Sequence, residues 1–133
     1  LADTFQGVVK AGENDRDYRG GEHADTSPAI LQNLLQSLNL TNAIPLIGIF
    51  PDDFTDKPKA YCFVHIDVDV YDSAAGVMAE VWPKLSRGGV VVFDDYGFAS
   101  TGGITKLVNE MTGKPDRLVI YNLNGHAVVV KTA

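Results

Sequence analysis

The sequence predicts an α/β protein whose sheet is mostly parallel and finishes in an antiparallel hairpin. Three observations carry this. Two apolar runs, Tyr61 to Ile66 and Val90 to Phe93, each lead into aspartates, and a helix-period segment between them makes a β-α-β unit. An earlier helix-period segment joins the β-rich run Ile44 to Phe50 to that unit and continues the alternation. The last two runs, Arg117 to Tyr121 and Ala127 to Lys131, are joined through Asn124-Gly125, a turn dipeptide that pairs neighbouring strands antiparallel.

Taken in order, Leu1 to Gly7 reads as a strand end turning into a loop. From Val8 to Thr26 apolar periodicity disappears, and Gly12, Gly20 and Gly21 are mixed with Glu13, Asp15, Arg16, Asp17 and Arg19. This stretch reads as a mobile surface loop, a solvated connector ahead of a substrate lid. Ser27-Pro28 is a helix start, with the serine as N-cap and proline in the first turn. Ile30, Leu31, Leu34, Leu35 and Leu38 come next on one face, which is expected to be core. Pro45 puts the next run at an edge or marks the first residues of its strand. Tyr61 to Ile66 is nearly continuous in apolar residues, as in a strand covered on both faces, and its Cys62 reads as a small buried hydrophobe. Asp72 or Ser73 is expected to cap the next helix, whose Ala74, Val77, Met78, Val81, Trp82 and Leu85 point inward before Pro83 tightens the last turn. Gly88-Gly89 turns the chain into Val90 to Phe93. A small-residue loop, Ala99 to Gly103, leads to a short helix from about Ile104 to Met111.

The 133 residues suit a single domain spanning 1–133. A composition of 45% hydrophobic and 21% charged residues is that of a soluble globular chain. The net charge of −6 argues against a nucleic-acid partner. No apolar run approaches the roughly 20 residues of a membrane span and no signal-peptide pattern is visible, so a cytoplasmic protein with no membrane partner is expected. One cysteine without a partner fits a reducing compartment. The chain opens on Leu1 and on what reads as a strand end, as a piece of a longer chain does.

The chemistry concentrates in the aspartates. Asp67 and Asp69 are two apart after one strand, and Asp94 and Asp95 end its expected neighbour, so four carboxylates converge at one sheet edge. Such a cluster calls for a cation or for raised pKa values. Hard oxygen donors without cysteine favour Mg²⁺, with Mn²⁺ or Ca²⁺ as alternatives. A metal-bound hydroxyl next to a free carboxylate can become a nucleophile. Against this stands the ordinary use of aspartate as a turn and helix cap, which is the reading for Asp72. His65 shares a side with Asp67 and reads as structural, while His23 and His126 take no role. There is no nucleophile elbow, P-loop or Cys-x-x-Cys.

The same stretches resemble the macrocin O-methyltransferase family, S-adenosylmethionine-dependent enzymes acting on hydroxyls of sugars and other natural products. The matching residues are Ala2-Asp3-Thr4-Phe5-Gln6-Gly7, His65-Ile66-Asp67-Val68-Asp69-Val70-Tyr71-Asp72-Ser73, Trp82-Pro83-Lys84-Leu85-Ser86-Arg87-Gly88-Gly89 and Asp94-Asp95-Tyr96-Gly97. The resemblance implies a Rossmann-like methyltransferase sheet. It implies Mg²⁺, or another divalent cation, on Asp67, Asp94 and Asp95, with Asp69 as general base. It also implies S-adenosylmethionine near Asp3 and the segment Gly48-Ile49-Phe50, and a small-molecule hydroxyl acceptor. The family's first strand and its glycine-rich turn fall ahead of Leu1, so the sheet is expected to lack them and to leave an edge that a second copy can cover in a homodimer. Three readings stay open: a metal-dependent O-methyltransferase, a non-catalytic methyltransferase-like module, and an Asp-x-Asp metal-dependent phospho- or glycosyltransferase.

Overall fold

The computed structural model describes all 133 residues. The strands are β1 (Ala2–Asp3), β2 (Leu46–Ile47), β3 (Tyr61–Ile66), β4 (Leu85–Phe93), β5 (Arg117–Tyr121) and β6 (Ala127–Lys131). The helices are α1 (Pro28–Ser37), α2 (Tyr71–Val81), which runs into a 3-10 turn (Trp82–Lys84), and α3 (Gly102–Met111). β1 and β2 form a small parallel pair. The main sheet has the order β3-β4-β6-β5, with β3 and β4 parallel and both β4-β6 and β6-β5 antiparallel. No ladder joins the two sheets, and β3 is an edge strand of the larger one.

The core lies between the main sheet and the helices α2 and α3. Alternation along β4 buries Leu85, Val91 and Phe93, and the registers Phe93↔Ala127 and Val91↔Val129 set the buried positions of β6 beside them. Ala74, Val77, Met78 and Val81 of α2 and Ile104, Leu107, Val108 and Met111 of α3 close over that row. Pro83 removes a helical donor, and the chain tightens there into the 3-10 turn. Trp82 packs against the core rim, with Nε1 donating to Asp116 Oδ2 at 2.9 Å and the Arg117 guanidinium 4.0 Å from its ring centre.

Several expectations are corrected: Leu85 opens β4 and is not part of the helix, and Gly88 and Gly89 lie within that strand and do not form a turn ahead of it. β3 is covered on one side only: Phe63 is 61% exposed, and Cys62, beside a register shift, is also exposed. The helix α1 does start at the Ser27 cap, whose side chain accepts from Ile30 N, but none of its residues is buried, and Ile30, Leu34 and Leu38 face solvent. Residues 8–26 are largely exposed, as a surface loop would be, but Val8 and Asp15 are buried and tie the first half of the stretch to the fold. Neither Asp72 nor Ser73 caps α2. The N-cap is Val70, and the first helical amide, Tyr71 N, donates instead to Asp15 Oδ1 at 2.9 Å from the distant loop. The final hairpin has the expected strands, but its connection runs over 122–126 with Leu123 and Gly125 in the left-handed region.

Candidate active site

Parallel pairing of β3 and β4 brings the ends of both strands together, and Asp94 N donates to Ile66 O at 2.9 Å as the ladder's last rung. Beyond it the chain breaks from extended geometry. Val70 N closes a tight turn on Val68 O at 2.7 Å, with Asp69 at φ 62. Asp95 sits at φ 63, and its carbonyl accepts from Thr101 Oγ1 at 2.6 Å. Aspartate tolerates the left-handed region better than most residues. Two such residues at one sheet edge mark a place where the surroundings impose the backbone.

The ends of β3 and β4 put Asp67, Asp69, Asp94 and Asp95 at one sheet edge, close enough for their charges to act on one another. Burial first, then the charges of Asp69, Asp67 and Asp94, together with a side-chain hydrogen bond to Asp69, push Asp95 up to about 6. Lost hydration, and after it the Asp94 and Asp69 carboxylates, also holds Asp67 above the ordinary range. A set of oxygen donors that resist simultaneous ionisation, with no thiol among them, fits a hard divalent cation.

Two neighbours of this cluster are not visible in the sequence pattern. His126 Nε2 lies 2.9 Å from Asp94 Oδ1, and His65 Nε2 lies 3.8 Å from Asp94 Oδ2. One donor atom from each of these three residues lies within 4.8 Å of the others. His126 arrives there because Ala127 pairs with Phe93, a signal that exists only once β6 is placed beside β4. The second neighbour is Tyr18, whose hydroxyl donates to Asp69 Oδ1 at 2.8 Å from a loop far away in sequence. Burial and the hydrogen bond to Asp69, then the nearby negative charges, raise the Tyr18 pKa and keep the phenol a donor. A cavity of about 240 Å³ lined by Tyr96, Phe98, Tyr121, Leu123 and His126, among others, adjoins the cluster through His126.

Of the residues expected near a cofactor, Asp3 and Gly48 lie together at the end of the small sheet. Gly48 N donates to Asp3 O at 3.0 Å, and Ile49 and Phe50 come directly after. Asp3 is exposed, with Oδ1 accepting from Phe5 N at 2.8 Å. Gly48 has φ 147, and a Cβ there would lie 3.0 Å from Asp53 Oδ2, so this position needs glycine. Phe50 packs against the main core.

Residues 1–112 match the macrocin-O-methyltransferase (TylF) family. A relative from Streptomyces olivaceus, 8-demethyl-8-(2,3-dimethoxy-alpha-L-rhamnosyl)-tetracenomycin-C 4'-O-methyltransferase, is 27% identical over 106 residues, which are 72% of this chain and 41% of that protein. Among solved structures, the O-methyltransferase NovP superposes with a TM-score of 0.80 at 24% identity, over 99% of this chain and 59% of its own. The calicheamicin methyltransferase CalS11 gives 0.79 at 19%, over 97% and 58%. The chain thus spans between two-fifths and three-fifths of these relatives, and the solved structures share its fold. With 112 of its 133 residues matched, the chain belongs to the S-adenosylmethionine-dependent macrocin O-methyltransferase family.

Proposed function

We propose that the chain carries the acceptor-activating part of an O-methyltransferase site, in which Asp67, Asp94 and Asp95 hold a divalent cation, Mg²⁺ first, and Asp69 is the general base. The observation that carries this reading is the parallel pairing of β3 and β4, which ends both strands at one edge and sets Asp67, Asp69, Asp94 and Asp95 there, where burial and then the three other carboxylates raise Asp95. A cation bound there would polarise an acceptor hydroxyl and ease its deprotonation. Asp69 is within reach of such a proton, since it already accepts a hydrogen bond from a hydroxyl at 2.8 Å. Asp3, Gly48, Ile49 and Phe50 are the residues assigned to S-adenosylmethionine, which supplies the methyl group. The chain's own part in the reaction is to orient the acceptor and take its proton.

The acceptor is a hydroxyl on a sugar or related natural product. Support comes from the relative's name, which specifies a rhamnosyl tetracenomycin, and from a second CalS11 structure described as a TDP-rhamnose 3'-O-methyltransferase. No helix of the chain is long and apolar enough to cross a membrane. The test is calorimetric titration with Mn²⁺ and with S-adenosylmethionine, separately and together. Metal binding that disappears in Asp94→Asn/Asp95→Asn supports the assignment. Metal affinity unchanged in that double variant refutes it.

A further inference from the structure

Residues 8–22 form a loop closed at its base, where Val8 N donates to Glu22 O at 2.8 Å and Gly21 N to Val8 O at 2.9 Å. Its two halves are held very differently. The first half is fastened to the fold. Asp15, 3% exposed, accepts from Tyr71 N; Ser73 Oγ donates to Val9 O at 2.8 Å; and Lys106 Nζ donates to Asn14 Oδ1 at 2.6 Å. The tip, residues 16–20, is tied mainly to its own loop. Arg19 N and Gly20 N donate to the Glu22 carboxylate at 2.7 and 2.9 Å, and Arg19 Nη1 donates to Arg16 O at 2.8 Å. Beyond its loop, the tip is bonded to the sheet edge from Tyr18 to Asp69, and the same hydroxyl lies 3.5 Å from His23 Nε2. Gly20 and Gly21, at φ 100 and 91, close the tip and supply backbone freedom where it would turn.

We propose that the Tyr18 phenol is a built-in surrogate for the acceptor: it holds the acceptor-hydroxyl position on Asp69, and the 16–20 tip must carry it away before a hydroxyl borne on a ring, phenolic or sugar, can reach that base. The inference rests on Asp69 as the base of the proposed function. A general base needs the hydroxyl it deprotonates within about 2.6–3.2 Å, and Tyr18 Oη fills that range at 2.8 Å with its proton directed at Oδ1. Its raised pKa makes it a poor proton source, so it occupies the base without being consumed. The anchored half does not have to move, because its bonds run to α2 and α3 and not to Asp69. An acceptor then competes with Tyr18, and its apparent affinity falls by the fraction of time the tip is away.

The test uses phenol itself as probe, with amide NMR titration of the wild type and of Tyr18→Phe, which keeps the ring and loses the hydroxyl. Tyr18→Phe should bind phenol about tenfold more tightly or better, since a hydrogen bond to a charged group no longer has to be displaced. Adding Asp69→Asn should remove that gain. Exchange of the Arg19 and Gly20 amides should quicken in Tyr18→Phe while the Tyr71 amide, bonded to Asp15, keeps its protection. Equal phenol affinity in the two proteins overturns the proposal, because Tyr18 then competes for nothing. Weaker binding in Tyr18→Phe also overturns it and makes the hydroxyl an acceptor contact. If the phenol result holds while Mn²⁺ fails to bind through Asp94 and Asp95, the surrogate stands and the metal-dependent reading falls.

Discussion

Replacing Asp95 by asparagine should make the metal-free protein more stable while removing a ligand. Asp95 is pushed up to about 6 from an ordinary 3.8 by burial and by three neighbouring carboxylates. At neutral pH the ionised form therefore carries an unfavourable free energy of about 3 kcal/mol before screening. The side chain keeps partial contact with water, so about 1–2 kcal/mol is the realistic size. Asparagine keeps the shape, tolerates the left-handed φ of 63 and carries no charge. Because the folded pKa is above the unfolded one, the penalty is complete above about pH 6 and fades as pH falls toward the unfolded value. Urea unfolding of Asp95→Asn should show a gain of about 1–2 kcal/mol at pH 7.5, or about 3–7 °C in Tm. Roughly half of that gain should remain at pH 5 and little near pH 4. Millimolar Mn²⁺ should stabilise the wild type and not the variant. A variant that is less stable than wild type at pH 7.5, or equally stabilised by Mn²⁺, would refute the account of the cluster.

Two further substitutions probe how the site is supported. At Gly103 an added Cβ would lie 2.0 Å from Asp15 Oδ1 and 3.1 Å from Tyr71 N. Gly103→Ala should therefore evict Asp15, undock the 8–22 loop and speed hydrogen exchange at the Tyr71 amide; unchanged protection there would show that Asp15 does not hold the loop. Phe93 is fully buried at the end of β4, directly before Asp94. Phe93→Ala should cost about 3–5 kcal/mol in urea unfolding, and a loss below about 1 kcal/mol would mean that this end of the core collapses around the missing ring.

The parts of the fold legible in the sequence were those fixed by local pattern. The β3 and final-hairpin limits agree with the apolar runs and turn chemistry to the residue, and Pro83 ends α2 where its missing donor requires. That the strands ending in Asp67 and Asp94 are parallel neighbours was legible, and parallel neighbours present their carboxyl ends at one edge. Periodicity failed where it had to name a partner. The leucines of α1 share a face, but a face says nothing about what covers it, and Leu34 remains 51% exposed. Loop 8–22 failed for the opposite reason. Its order comes from carboxylates and amides, Asp15 on Tyr71 and Glu22 on Arg19 and Gly20, and such bonds leave no hydrophobic period. Asp15 taking the capping role expected of Asp72 is the same effect, a donor satisfied by a residue 56 positions away. Tyr18 and His126 reach the cluster through tertiary contacts of this kind, and neither carries a local signal.

The cluster's unfavourable terms bear on how the site would work. Asp69 and Asp95 both hold left-handed backbone, a strain of about 1–3 kcal/mol for each such residue, and Asp67 and Asp95 are ionised against their neighbours. None of this stabilises the fold, and the charge repulsion would be offset by positive charge arriving between the strands. The cation would offset the repulsion that raises Asp95, and a hydroxyl on Asp69 would satisfy a carboxylate that the turn at 68–70 holds in place. Tyr18 already provides the second of these. Its hydrogen bond lowers the free energy of the closed protein by the same kind of contact that an acceptor would make, so it sets the threshold that an acceptor must exceed. A ligand presenting only a hydroxyl would exchange one hydrogen bond for another and gain little. A ligand that also offers a second oxygen to the cation would gain the electrostatic term that Tyr18 leaves unused. If Asp69 is the base and a cation binds beside it as proposed, a tyrosine-occupied base next to a metal would favour acceptors carrying two adjacent oxygens over simple alcohols. Competition of a vicinal diol and its monohydroxyl counterpart for Tyr18's place, with and without Mn²⁺, measures that preference: the diol should gain from the metal and the monohydroxyl compound should not.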